Sequence, residues 1–206
     1  MRRRLILRNV SGGGLPSEYQ QVEWIGFALG CFLDLGVISY TNPGFDIDFQ
    51  MPSSRPGQWG PHIISSDTQY LWFVARASAT SYYLCGTDNT TTIDGRFDPL
   101  TLDARHSASL HNSLATVDGV SKQLTRGNTA LSGNVVVGAY GGDTTDAAYL
   151  FGGKIFALDF FDGNNLAKLL VPCYRKSDST IGMYDTVNGM FYTNAGTGTF
   201  DKGADV

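Results

Sequence analysis

The chain has 206 residues, of which 42% are hydrophobic and 12% aromatic, so it can bury one sizeable core. Its formal net charge of -4 argues against nucleic acid as the main partner, because phosphate binding needs a basic surface. Glycine is frequent, with 25 residues, whereas Glu occurs only at Glu18 and Glu23. This composition favours strands and turns over helices, since Glu, Ala, Leu and Lys are the usual helix formers.

The first ten residues, MRRRLILRNV, combine four arginines with a short apolar run. That run is interrupted by Arg8 and is too short for the hydrophobic region of a secretion signal. Residues 1–10 are predicted to form a basic arm that docks on another protein, and a frayed terminus is the alternative. The residues expected to contact the partner are Arg2, Arg3, Arg4 and Arg8. Residues 11–14, SGGG, predict a flexible hinge before a folded domain over residues 15–206.

Three widely spaced cysteines, Cys31, Cys85 and Cys173, form no CxxC pair, and the chain has only three histidines. A structural zinc site is therefore not expected. Free Cys usually behaves as a small buried hydrophobe, so we expect three buried thiols in a protein made in a reducing compartment. No segment approaches the apolar length that spans a membrane, which predicts that the protein does not insert into one.

From Leu15 onward, short strand-like runs alternate with turn signals. Residues 44–51, GFDIDFQM, alternate so that Phe45, Ile47 and Phe49 share one face and the two acids share the other. More than ten such runs and no convincing helix predict an all-β, antiparallel two-sheet sandwich of the jelly-roll kind. The predicted core consists of Trp24, Phe45, Ile47, Phe49, Ile63, Phe73, Leu102, Val136, Phe156, Leu158 and Phe160.

Two dipeptides predict tight hairpins of type I′, which requires positive φ at both central residues. Asp118-Gly119 lies between the runs 113–117 and 120–124, and Asn188-Gly189 lies in the last third of the chain. Around the second dipeptide, the sequence predicts a three-stranded meander ending at residue 193. Residues 194–200, NAGTGTF, are expected to leave it as an extended end.

Four stretches resemble a recurrent module of phage and prophage structural proteins and of surface proteins of gut bacteria. They are LPSEYQQVEWI (15–25), VDGV (117–120), GGKIFALDFFDG (152–163) and PCYRKSDSTIGMYDTVNGMFYTNAGTGTF (172–200). The module is similar to concanavalin A-like, laminin-G-type lectin and glucanase domains, which implies a concanavalin A-like sandwich. The family often continues its first motif with a STGTQYIDTG type of sequence, whereas this chain has GFALGCFLDLG at 26–36.

Catalysis is not predicted. A retaining glycosidase needs two carboxylates about 5 Å apart. Asp46 and Asp48 alternate on one strand face, but strict alternation already explains them as solvated strand-face acids. His62, His106 and His111 are scattered, and no GxSxG motif is present.

Glycan binding is the lectin-like expectation, because sugars stack on exposed aromatic rings and bond to polar loop groups. The candidate ligand-binding residues are Trp59, Tyr82, Tyr140, Asp143 and Asp146. The two acids offer hard oxygen atoms that suit calcium, although ordinary turn roles explain them as well. No other cofactor is expected.

The arm, the hinge, the thiols and the resemblance together predict a non-enzymatic protein of a phage virion surface, such as a head fibre, decoration or tail-associated protein. Such a protein is made in the host cytoplasm, forms homo-oligomers, contacts other virion proteins through its arm and binds a host surface glycan. The alternatives are a secreted or surface carbohydrate-binding module of a gut bacterium and a glycoside hydrolase-like enzyme. The fold hosts all of these functions, so the site must decide between them.

Overall fold

A computed structural model describes residues 14–53, 62–66, 72–78, 81–84, 95–97, 100–124, 130–140 and 150–206, with side chains outside 72–78, 81–84 and 95–96. The regular secondary structure in these ranges consists of β-strands. The first nine are β1 (Tyr19–Gln21), β2 (Ile25–Gly26), β3 (Leu33–Tyr40), β4 (Pro43–Gln50), β5 (His62–Ser66), β6 (Trp72–Ser78), β7 (Ser81–Leu84), β8 (Gly95–Phe97) and β9 (Arg105–His111). The others are β10 (Leu114–Val117), β11 (Val120–Gln123), β12 (Leu131–Val137), β13 (Lys154–Asp162), β14 (Asn165–Arg175), β15 (Thr180–Asp185), β16 (Met190–Thr193) and β17 (Asp201–Lys202).

The strands form two antiparallel sheets. The larger sheet has the order β11-β10-β9-β4-β13-β14-β15-β16, with β1 beside β14 and with β2 paired to both β13 and β17. The smaller sheet has the order β3-β12-β5-β6-β7-β8. Buried side chains of both sheets, among them Phe45 of β4 and Val135 of β12, belong to one hydrophobic cluster. The all-β, antiparallel two-sheet architecture predicted from the sequence is therefore confirmed.

Alternation in β4 determines which of its faces is buried. Phe45, Ile47 and Phe49 are at most 3% exposed, whereas Asp46 and Asp48 point away from the core. Of the other predicted core residues, Ile63, Val136, Leu158 and Phe160 are buried. Trp24 is only half-buried, Leu102 packs against the core from its rim, and the side chain of Phe73 lies outside the described residues.

The prediction that Phe156 belongs to the core is wrong. A β-bulge shifts the pairing of β13 with β4 between Ile155 and Ala157. The extra residue reverses the alternation, so Ile155 and Leu158 are both fully buried while Phe156 is half-buried. The guanidinium of Arg105 lies over the Phe156 ring, 4.3 Å from its centroid. The sequence lacks a glycine or proline at this point that would have indicated the bulge.

The two predicted hairpins differ in their outcome. Asp118 and Gly119 have φ of 48° and 83°, and Val117 pairs with Val120, which confirms a two-residue turn of the predicted kind. The type I′ prediction at Asn188-Gly189 is wrong. There Asp185 pairs with Met190 around a four-residue loop, in which only Gly189 has positive φ.

The carboxylate of Asp185 organises that loop. It is fully buried and accepts hydrogen bonds from the backbone N–H groups of Val187 (3.0 Å) and Asn188 (3.2 Å). The Asn188 side-chain amide donates to it at 2.7 Å, and Lys168 Nζ lies 3.5 Å away. Burial raises the pKa of the neighbouring Tyr40 to about 12, and the negative charge of Asp185 adds to this effect. A side-chain cap thus replaces the backbone geometry of a tight turn.

The end of the chain folds back, which corrects the expected extended exit. Asn194 Oδ1 accepts from Phe32 N at 3.1 Å and from Gly196 N at 3.0 Å, which turns the backbone. Phe200 is then buried, and Asp201–Lys202 pairs with Ile25–Gly26. The last strand, β17, therefore pairs with β2, the second strand of the described chain.

Cys31 and Cys173 are buried free thiols, as expected, and Cys85 lies outside the described residues. Burial raises the pKa of both thiols, and it raises the pKa of Cys173 to about 12.

Within the described ranges, no helix has the length and apolar character needed to cross a membrane. That residues 15–206 form one domain stays a prediction. That the strands follow a jelly-roll topology also stays a prediction.

The bulge makes a testable difference between two phenylalanines of β13. We expect Phe160→Ala to lower the free energy of unfolding by about 3–5 kcal/mol, because it opens a cavity in the core. Phe156→Ala should cost less than about half as much, since its ring is only half-buried. Urea denaturation of both variants measures the difference, and equal losses would contradict the bulged register.

Replacing Asp185 tests the buried cap. Asp185→Ala leaves several buried donors without their acceptor, so we expect a loss of about 3 kcal/mol in the free energy of unfolding. Asp178→Ala is the matched control, because Asp178 also accepts from a turn, at Thr180 N, but is exposed. A loss at Asp185 no larger than that of the control would show that the loop is held by other groups.

Candidate functional site

Most of the predicted ligand-binding residues cannot be placed. Trp59, Asp143 and Asp146 lie outside the described residues, as do Arg2, Arg3, Arg4 and Arg8 of the arm. The backbone of Tyr82 lies in β7 and pairs with Phe97, but its side chain also falls outside the description. Tyr140 is half-buried and packs against the buried His62, with ring centroids 4.8 Å apart. The predicted loop site therefore stays untested.

A different site lies where the two ends of the described chain meet. It is an open cleft of about 320 Å³ in the larger sheet, where β4 ends and β13 begins. Strands β2, β4, β13 and β17 contribute to it, together with the turn that precedes β9. The side chains and backbone that line it include Trp24, Gly26, Gln50, Asp103, Lys154 and Asp201.

Trp24 provides an aromatic surface in this cleft. Its backbone is fixed because Gly203 N donates to Trp24 O at 3.0 Å. Two glycines let the indole lie close to the chain: a Cβ at Gly203 would stand 2.7 Å from Trp24 Nε1, and one at Gly26 would stand 3.1 Å from Cζ3. Lys154 Nζ lies over the ring, 4.1 Å from its centroid. This distance is typical of a cation–π contact.

The polar wall of the cleft is held in place by a small network around Asp103. Gln50 Nε2 donates to Asp103 O at 2.9 Å, and Asp103 N donates to Met51 O at 2.8 Å. Asp103 Oδ1 accepts from Ser53 N at 3.0 Å, and hydrogen bonding by the side chain and the backbone of Ser53 lowers the pKa of the carboxyl. Asp103 has a positive φ of 59°, which Asp tolerates better than most residues. The carboxylate is therefore ionised and oriented at neutral pH.

Asp201 comes from the folded-back end of the chain. It pairs with Gly26, and its Oδ1 accepts from Lys202 N at 2.8 Å. The cleft thus brings together an aromatic ring, an amide, two carboxylates and an ammonium group. An aromatic side chain with planar polar groups beside it can bind a ligand whose ring carries several hydroxyl groups.

The outward face of the larger sheet continues from the cleft with paired polar side chains. Arg105 Nη2 donates to Asp48 Oδ2 at 2.6 Å, and His111 Nε2 lies 2.6 Å from Asp46 Oδ1. Asp159 of β13 is in register with Asp46 and is 7% exposed. Asp46 and Asp48 are therefore on the predicted outward face, but Asp48 forms an ion pair with Arg105 and Asp46 contacts His111, which the interpretation as simply solvated acids did not include.

Sequence reasoning missed this cleft because its residues are far apart in the chain. Trp24 was assigned to the core, and Gln50, Asp103, Lys154 and Asp201 were not singled out. The sequence did contain an indication of the site. Trp24 lies in the first of the four stretches that carry the family resemblance, Gly26 follows that stretch directly, and Lys154 lies in the third. Over the described ranges, no group of three or more His, Cys, Asp or Glu side chains is placed to hold a metal ion.

Comparisons with known proteins identify the fold but no family. No family model matches the chain, and no curated protein is similar to it. Among solved structures, the chain is similar to a "putative carbohydrate binding protein" from Bacteroides ovatus ATCC 8483, with a TM-score of 0.56 and 10% sequence identity. The match covers 91% of this chain and 62% of the other, so this chain spans about three-fifths of that protein's length. At this identity, the likeness concerns the fold.

Proposed function

We propose that this chain is a non-enzymatic glycan-binding module and that the Trp24 cleft holds a sugar ring. The observation that carries the proposal is the cleft itself, in which Trp24 offers an aromatic surface beside Gln50, Asp103 and Asp201. A carboxylate accepts hydrogen bonds from hydroxyl groups and an amide both accepts and donates them, while the indole packs against the C–H face of a sugar ring. The fold shared with the Bacteroides ovatus protein supports this assignment.

The preorganisation of the cleft also favours binding. The Asp103 carboxylate is already held by Ser53 N, and the Gln50 amide is held by Asp103 O. Groups that are ordered before a ligand arrives lose less conformational entropy when it binds. The cleft is open and small, so we expect a millimolar dissociation constant, which corresponds to about -4 kcal/mol. Several copies on one particle raise the apparent affinity when their spacing allows simultaneous contact.

We further propose that the module belongs to a phage virion surface, as a head fibre, decoration or tail-associated protein, assembled in the host cell through its basic arm. The support is the arginine-rich residues 1–10, the Gly-rich hinge and the resemblance in the sequence. The same cleft would serve a surface module of a gut bacterium equally well. The arm is the feature that favours the virion, since it suits docking on an acidic partner.

Trp24→Ala tests the cleft. We expect at least a tenfold loss of affinity for the glycans that the wild-type protein binds, equal to about 1.4 kcal/mol. Binding is measured on a glycan array with a multimeric form, followed by calorimetry on the best neutral and acidic oligosaccharides. No release of reducing ends is expected, and turnover would contradict the non-enzymatic assignment.

Phe191→Ala is the matched control for Trp24→Ala, because Phe191 is also half-buried and also lies beside a cation, Arg175. Asp103→Ala keeps the indole and provides a second variant if Trp24→Ala folds poorly. Thermal melting shows whether each variant is folded. Loss of binding in Trp59→Ala or Asp143→Ala/Asp146→Ala, with Trp24→Ala unaffected, would move the site to the loops predicted from the sequence.

Deleting residues 1–10 tests the arm. We expect the truncated chain to fold, because the described sheets begin at Tyr19, and to fail to incorporate into its assembly. Circular dichroism checks the fold, and sedimentation of particles assembled with either form measures incorporation. Normal incorporation of the truncated chain would contradict a docking role for Arg2, Arg3, Arg4 and Arg8.

A further inference from the structure

Lys154 differs from five other cations of the described residues, each of which bonds to an oxygen atom of the protein. Four of these cations form ion pairs, namely Arg105 with Asp48, Lys168 with Asp185, Arg175 with Asp178 and Lys202 with Asp205. Lys176 donates to a backbone carbonyl, Ser17 O, at 2.8 Å. Lys154 makes no ion pair or hydrogen bond with any described residue, and its close contact is the ring of Trp24. Its ammonium group therefore keeps its hydrogen-bond donors available.

Each carboxylate of the cleft accepts a backbone hydrogen bond at its Oδ1 atom. Asp103 Oδ1 accepts from Ser53 N, and Asp201 Oδ1 accepts from Lys202 N. The charge of Lys154 contributes to the lowered pKa of Asp103, but as the smallest of its causes. Both carboxylates keep their negative charge, and Lys154 is the cation among the residues that line the cleft. An ammonium group has three donors and no acceptor, so it is satisfied by an anionic group of a ligand.

We infer that the cleft selects acidic sugars, with Lys154 as the residue that recognises the carboxylate or sulfate group. This inference rests on the proposed glycan binding and names the class of glycan. The ammonium of Lys154 leaves the Trp24 ring and pairs with the anionic group. The indole, which Lys154 no longer covers, then packs against the same sugar ring. The hydroxyl groups of that ring bond to Gln50, Asp103 and Asp201.

A neutral sugar is at a disadvantage in the same cleft. To reach the indole it must displace the ammonium, and it offers no anion in return. The lost cation–π contact corresponds to a factor of about two to five in affinity at an exposed site. An acidic sugar replaces that contact with a charge-assisted hydrogen bond, which is the stronger interaction. The negative charges of Asp103 and Asp201 repel the anionic group of the sugar, which favours the orientation that places this group at Lys154.

The inference predicts effects of opposite sign for one substitution. Lys154→Gln should weaken binding of acidic oligosaccharides about tenfold, because the charge-assisted contact is lost. The same change should strengthen binding of neutral oligosaccharides about two- to fivefold, because the indole is no longer covered. Lys154→Arg should retain the preference for acidic sugars. Lys176→Gln is the control, since it removes the same charge outside the cleft.

The probes are oligogalacturonate, hyaluronan oligosaccharides and a sulfated galactan, each tested beside its own carboxyl-reduced or desulfated form. Each pair has one sugar backbone and differs in charge, so calorimetry on a multimeric form isolates the role of the anion. Equal affinity within every pair, or an unchanged preference in Lys154→Gln, overturns this inference.

The failure of the inference can be told apart from failure of the proposed function. If neutral and acidic forms bind equally and Trp24→Ala abolishes both, the cleft is a glycan site without charge selection. If no acidic or neutral glycan binds the multimeric wild-type protein, both the inference and the proposed function are wrong. If the acidic preference persists in Trp24→Ala and in Lys154→Gln, the anion binds elsewhere and this assignment of Lys154 is wrong.

Discussion

The pairing of β4 with β13 is the interaction on which the rest of the larger sheet depends. Phe45 is in register with Phe160, and Ile47 with Leu158, so the pair buries large apolar side chains on one face. The burial of such side chains is the main favourable term in folding. In the strand order of that sheet, β9, β10 and β11 lie on the β4 side of this pair, and β14, β15 and β16 lie on the β13 side.

The bulge within that pairing also shapes the candidate site. Because Phe156 is an extra residue, the inward positions change from odd to even numbers, and Ile155 and Leu158 both reach the core. Lys154 and Ala157 consequently lie on the outward side with Gln50 and Asp48. A bulge near a functional surface that redirects side chains is a common feature of β-proteins. Here it leaves Lys154 beside Trp24 and leaves Phe156 beneath Arg105.

The cleft exists because β2, near the start of the described chain, pairs with β17, near its end. Strand β2 pairs with β13 on one side and with β17 on the other. This arrangement brings Asp201 and Gly203 next to Trp24, about 180 positions away in sequence. Glycine at position 203 is required by space, since a Cβ there would meet the indole. The indole is therefore held by backbone contacts, while its position in the open cleft lets a ligand reach it.

What the sequence determined by itself was local. The alternation in residues 44–51 identified the buried face of β4, and Asp118-Gly119 predicted its hairpin, because each depends on neighbouring residues only. The tertiary structure decided the rest: buried Asp185 set the loop at Asn188-Gly189, and the bulge removed Phe156 from the core. It also moved Trp24 from the predicted core to a cleft, because side chains from distant strands become neighbours only after the sheets have formed.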